Sequence, residues 1–170
     1  MKQSLATALV VILLSSCSSN NPATISFPKE IGRFKLEDTE RALGNSDSFK
    51  RPRDIINVDV KPPDGTTQYK GFYTLADGRT LVIYSVLVFP TASEASEEIG
   101  FFEDKADVIE RGSKLDVSGK PMGKRIIQSK FNTDLITISW NEGSRYCRIA
   151  AESLKIATEF EDALLKSHSK

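Results

Sequence analysis

The stretch from Arg79 to Phe89 puts apolar side chains on both sides of an extended chain, and that limits the folds open to the whole sequence. In a strand, Leu81, Ile83, Leu87 and Phe89 point one way while Val82, Tyr84, Val86 and Val88 point the other. A strand apolar on both faces belongs at the centre of a covered sheet. Gln68 to Leu75 is a second aromatic and β-branched run, and Ala76-Asp77-Gly78 separates the two. An Asp-Gly pair between such runs is a strong hairpin signal, because both residues tolerate the left-handed backbone of a tight turn.

Thr91 and Glu94, following Pro90, have the spacing of a capping box, in which each side chain serves an orphan amide of a helix start. Ala95, Ile99, Phe102, Ala106 and Ile109 then recur at helical spacing, which predicts one helix running to Gly112. After the glycine-rich Ser118 to Gly123 come three expected strands, Lys124 to Lys130, Leu135 to Trp140 and Arg145 to Ala150. Asn132-Thr133-Asp134 and Asn141-Glu142-Gly143 supply turns between them. A second amphipathic helix is expected over Glu152 to Lys166, with Leu154, Ala157, Phe160 and Leu164 on its apolar side. Nearer the start, Phe34 with Leu36 and the run Ile55 to Val60 read as strands, with a loop over Gly44 to Ser48. The order of elements predicts an α+β fold: one antiparallel sheet of about five to seven strands with two amphipathic helices packed on it.

The Tyr73 to Phe89 hairpin leading into the Thr91 helix, and the Trp140 to Ala150 segment leading into the last helix, resemble the PsbP and Mog1 type of domain. That resemblance implies a central antiparallel sheet flanked by helices. It carries no binding or catalytic residue onto this sequence, so it bears on fold alone.

The first residues speak to location. Lys2 supplies a positive charge, Leu5 to Leu14 is an apolar run, and small residues follow. The run is too short to span about 30 Å of hydrocarbon as a helix, which fits an export signal rather than a stable anchor. Leu14-Ser15-Ser16-Cys17 resembles the lipobox of bacterial lipoproteins, cut before the cysteine by signal peptidase II. The resemblance implies a diacylglycerol thioether and an N-acyl chain on Cys17, and several acyl chains together make a lasting anchor. It also implies, through Ser18 in place of an aspartate, the outer membrane facing the periplasm in a Gram-negative host. The expected organisation is a signal over 1–16, lipidated Cys17 with a polar tether to 24, and a single domain over 25–170. Ser18 to Thr24 extends to at most about 25 Å, which keeps the domain near the lipid.

The chain has 170 residues, 39% of them hydrophobic and 27% charged, which suits one globular domain. Twenty-three Lys and Arg balance 23 Asp and Glu. No basic excess or recognition motif points to nucleic acid. With Cys17 lipidated, Cys147 has no cysteine to pair with, and its apolar strand context predicts a buried, inert thiol.

Catalytic chemistry finds few residues. The single histidine, His168, lies in the tail, far from the surroundings a catalytic base needs. No cysteine or histidine pattern has metal spacing, and no glycine-rich phosphate loop follows a strand. The acids Glu94, Glu97, Glu98, Glu103, Asp104, Asp107 and Glu110 fall on the polar side of the expected first helix. Asp59, Asp64 and Glu142 each sit beside turn residues. Lys50, Arg51 and Arg53 form a basic cluster that could touch anionic head groups or a partner, or pair with Asp47 and Asp54 as an ordinary loop. Phe72, Tyr73, Tyr84, Phe89, Trp140 and Tyr146 suit a sheet core before they suit a stacking platform.

The expectation is therefore a membrane-anchored, non-catalytic accessory domain that binds an envelope protein, with no metal and no cofactor beyond the lipid on Cys17. The alternative is a carrier of a lipid or other apolar ligand between sheet and helix. A carboxylate-based hydrolase ranks third.

Overall fold

A computed structural model describes residues 25–43, 64–103, 107–129 and 134–167. Ten elements follow along the chain: β1 (Glu30–Ile31), β2 (Phe34–Leu43), β3 (Thr67–Thr74), β4 (Leu81–Val88), α1 (Ala92–Glu103), β5 (Asp107–Leu115), β6 (Pro121–Ser129), β7 (Ile136–Glu142), β8 (Arg145–Ala151) and α2 (Leu154–Ser167). The strands make one antiparallel sheet in the order β1-β2-β3-β4-β8-β7-β6-β5. The chain thus lays down four strands, crosses by α1 to the far edge, and returns strand by strand until β8 zips against β4.

The expected hairpin is present. Asp77 Oδ1 accepts the Arg79 and Thr80 amides at 3.0 and 3.2 Å, and Gly78 has a positive φ of 66°. That φ is open to glycine at no steric cost. β4 lies at the middle of the sheet, and its two faces feed two separate clusters. Val82, Tyr84 and Val86 join Ile138, Trp140, Cys147, Ile149, Ala157, Phe160 and Leu164, whereas Leu87 joins Phe89, Ala95, Ile99, Ile126 and Tyr146. Ala157, Phe160 and Leu164 belong to α2, and Ala95 and Ile99 to α1, so the helices cover opposite faces of the sheet. The result is three layers.

On the α2 side, Phe160 meets Phe34 at 5.1 Å and Tyr73 at 4.9 Å between ring centroids, both edge to face. Tyr84 stacks on Trp140 at 6.2 Å. The Tyr73 hydroxyl donates to the Pro28 carbonyl at 3.0 Å, which satisfies a group buried within the core. These side chains pack together between α2 and the middle of the sheet. Tyr73, Tyr84, Phe89, Trp140 and Tyr146 are all buried, as a core role requires, and Phe72 is half-buried.

Three expectations need correction. The sheet has eight strands rather than five to seven, with β1 and β5 as strands not anticipated. The first helix ends at Glu103 instead of reaching Gly112. Its capping box is formed, since Thr91 N and Oγ1 both donate to Glu94 Oε2 at 2.9 Å and Glu94 N donates to Thr91 Oγ1 at 3.2 Å. Beyond it, Asp107 to Leu115 pairs with β6, and Ile109, 53% exposed, lies in the strand at a bulge. The apolar spacing there suits a helix, but the β-branched Val108 and Ile109 suit a strand as well, and the exposed edge of β6 provides a partner. Asp107 and Glu110 therefore leave the helix's polar side. Lastly, Leu154 opens α2 at 39% exposure instead of joining its buried stripe. Ser153 caps that helix, its Oγ accepting the Ile156 amide at 3.4 Å.

Gly44 to Ser48, the Ile55 to Val60 run, and Asn132 and Thr133 lie outside the described residues, as do Asp59 and His168.

Candidate functional site

The α2 stripe is Ala157, Phe160, Glu161 and Leu164, all buried. A glutamate at a core position of an amphipathic helix needs a partner, because an unpaired carboxylate in apolar surroundings is costly. Glu161 has two. Lys114 Nζ on β5 donates to Oε1 at 2.6 Å, and Arg125 on β6 forks onto the same carboxylate, with Nη2 to Oε2 at 2.7 Å and Nε to Oε1 at 3.0 Å. The three side chains are 7%, 8% and 14% exposed in the order Glu161, Lys114, Arg125. Lys114 also sits 4.5 Å from the centre of the Trp140 ring, which adds a cation–π contact. Arg125 Nη1 reaches Glu110 Oε1 at 3.0 Å, an acid that is 60% exposed.

Burial pushes the Glu161 carboxyl upward, but the hydrogen bonds from Arg125 and Lys114 outweigh it and hold the group below its usual range. Arg125 is raised in turn, chiefly by its hydrogen bond to Glu161. Glu161 is thus ionised at neutral pH, and together with Glu110 it balances the two cations of the cluster.

Beside this cluster a groove of about 260 Å³ runs between α2 and the β5–β6 hairpin, lined by Ser113, Leu115, Arg125, Thr158, Asp162 and Leu165 among others. The hairpin tip beyond it carries exposed apolar side chains, Leu115 at 44% and Val117 at 62%. Asp116 builds that tip, its Oδ1 accepting the amides of Ser118 and Lys120 at 2.8 and 2.9 Å.

A second polar group crosses the opposite face. Glu40, Lys70, Ser85, Arg148 and Ser139 occupy directly opposed positions on β2, β3, β4, β8 and β7 and so share one face. Lys70 Nζ lies 3.6 Å from Glu40 Oε2, and the Tyr146 hydroxyl donates to Ser139 Oγ at 3.0 Å. Burial pushes the nearby Glu98 carboxyl up, with Arg148 opposing.

Cys17, Lys50, Arg51 and Arg53 lie outside the described residues. Cys147 is buried, with the Tyr84 hydroxyl 3.9 Å from its sulfur, and burial pushes the thiol up to about 12. The thiolate a nucleophile needs is therefore scarce at neutral pH. Among the described residues, no group of three or more His, Cys, Asp or Glu side chains could hold a metal ion, and no helix is long and apolar enough to cross a membrane.

The Glu161 cluster escaped the sequence reading because its members come from three elements with no spacing rule between them. One signal was available: Glu161 interrupts the apolar stripe at the position four residues after Ala157. No family model, curated protein or solved structure matches the chain. The described residues form an open antiparallel sheet with a helix on each face and a charge-floored groove at one end.

Proposed function

We propose that this chain is a membrane-anchored lipoprotein of the cell envelope whose domain is a non-catalytic binding module for a protein partner. The groove between α2 and the β5–β6 hairpin carries this reading. It is open, has paired charges at its floor and exposed Leu115 and Val117 beside it, and this mixture suits a segment of another protein. The anchor rests on Leu14-Ser15-Ser16-Cys17 and the charged and apolar residues before it. Ser18 favours the outer membrane in a Gram-negative host. Helices on both faces of an antiparallel sheet are in keeping with the PsbP and Mog1 resemblance.

Two measurements test the proposal. Radiolabelled palmitate should enter the full chain and be lost in Cys17→Ser, and equal labelling of both would remove the anchor. A photo-crosslinking residue at Asp162, exposed on the groove wall, should trap one discrete partner in intact cells. The same residue at Arg79, on the distant β3–β4 turn, should trap none. Identical adduct patterns from the two positions would remove the groove as the binding surface.

A further inference from the structure

The sheet ends differently at its two sides. β1 closes one side with two residues, whereas β5 closes the other with nine, and among the described residues no strand pairs with its outer edge. A long edge strand offers a row of backbone donors and acceptors to any chain that can lie beside it. Irregularities flank β5 at Ile109 and just before Leu115, and between them Glu110 to Lys114 pairs with β6 without interruption. That regular stretch has the geometry to accept a further strand.

We propose that the outer edge of β5 pairs antiparallel with β5 of a second copy of this chain, across a two-fold axis at Gly112. The pairing makes one sheet continuous through two copies. It goes beyond the binding reading above and does not depend on the lipid anchor.

Register decides the occupant. A two-fold axis perpendicular to the sheet keeps each face on its own side, so the axis must pass through a residue rather than between two. Centred on Glu110 or Arg111, like charges meet at the axis. Centred on Ser113, the regular stretch sets Gly112 against Lys114 of the second copy and joins no opposite charges. Centred on Gly112, Glu110 meets Lys114 of the second copy and Arg111 meets Ser113, each pair occurring twice. Ile109 and Leu115, two apolar side chains exposed at 53% and 44%, lie just beyond the two ends of this regular stretch.

Charge favours the same arrangement. Lys114 and Arg125 share the buried carboxylate of Glu161, and Arg125 also holds the exposed Glu110 of its own chain at 3.0 Å, so two cations and two carboxylates balance in each copy. Across the axis Glu110 of each copy stands opposite Lys114 of the other on one face, so the two balanced clusters meet with opposite charges adjacent and no like charges opposed. An ammonium has three donors, so Lys114 can keep Glu161 while donating to a second carboxylate. At the axis, a Cβ on Gly112 has no protein atom within 4 Å, so a side chain introduced there for trapping meets open space within its own chain.

The experiment is disulfide trapping in the full chain in detergent solution, with the unmodified chain oxidised in parallel to set the background from Cys17 and Cys147. Opposed Cα atoms in an antiparallel pair lie about 4.5–5.5 Å apart, within disulfide reach. Gly112→Cys should give a species of twice the chain mass on non-reducing gels. Arg111→Cys alone should stay at background, since its own counterpart is diagonal, and a mixture of Arg111→Cys and Ser113→Cys should cross-link. Adding Glu110→Lys to Gly112→Cys should cut trapping about tenfold, because lysines then face each other twice. Sedimentation of the unmodified chain should give twice the chain mass. Background trapping at Gly112→Cys, or equal trapping at Arg111→Cys alone, overturns the proposal, and insensitivity to Glu110→Lys overturns the register.

Discussion

Gly123 on β6 lies against the backbone of Asn141 on β7, so close that a Cβ at residue 123 would overlap the Asn141 carbonyl oxygen. At the same point, Asn141 Oδ1 accepts the Lys124 amide at 2.8 Å. The regular β6–β7 register ends at Arg125 and Trp140, so this side-chain hydrogen bond continues the ladder where strand pairing stops.

Gly123→Ala should accordingly destabilise the domain, because the blocking atom is backbone and cannot rotate away. A loss of about 1–3 kcal/mol is expected from urea unfolding, as a lower midpoint at unchanged slope. Gly112→Ala meets open space and should stay within about 0.5 kcal/mol of the unmodified chain. Equal effects from the two variants would show that the close approach is unimportant.

Glu161→Gln removes the one carboxylate that serves two buried cations. Breaking one side of such a cluster costs about 3–5 kcal/mol, most of it from the uncompensated charges left behind. The exposed pair of Arg33 and Glu159, with Nη2 to Oε2 at 2.7 Å, should matter far less when broken by Glu159→Gln, since water screens it. Parallel denaturation of the two variants compares them, and a Glu159→Gln effect as large as that of Glu161→Gln would contradict the assignment.

The same cluster sets the acid response. The folded Glu161 carboxyl titrates below its ordinary value of 4.5, so its stabilisation is complete above that value and disappears as pH falls through the lower, folded one. Glu98 acts with the opposite sign: its raised value means that ionisation costs stability at neutral pH, a cost that vanishes in acid. Unfolding midpoints measured from pH 7 down to pH 2 should fall below the ordinary carboxylate range, and Glu161→Gln should flatten that fall. Glu98→Gln should raise stability at pH 7 and have less effect in acid.

Phe160→Ala should cost about 3–5 kcal/mol, because three aromatic rings close around that side chain. Leu154→Ala, at the exposed start of the same helix, should change little. Thermal unfolding of both variants reads out the rotational setting of α2, and a larger effect at Leu154 would place the wrong face against the sheet.

Cys147 should resist iodoacetamide at pH 8 in the folded chain and react once urea unfolds it, as read on the peptide that contains it. Burial accounts for both its high titration and its inaccessibility. Labelling at the rate of a free thiol without urea would exclude this packing.

Local pattern determined much of this molecule. The Asp77-Gly78 turn, the two-faced β4, the Thr91 and Glu94 capping box, the last strands and Ala157, Phe160 and Leu164 of the α2 stripe were legible, since each depends on residues within a few positions of one another. The tertiary structure alone decided that Asp107 to Leu115 is a strand: its apolar spacing tolerates a helix, and the choice fell to a hydrogen-bonding edge on β6. It also decided that the two helices lie on opposite faces, and that Glu161 meets Lys114 and Arg125 beside the groove. Those three charges come together only when sheet and helix close on one another. Their attraction grows strong only once water has been displaced, a condition that no stretch of sequence creates alone.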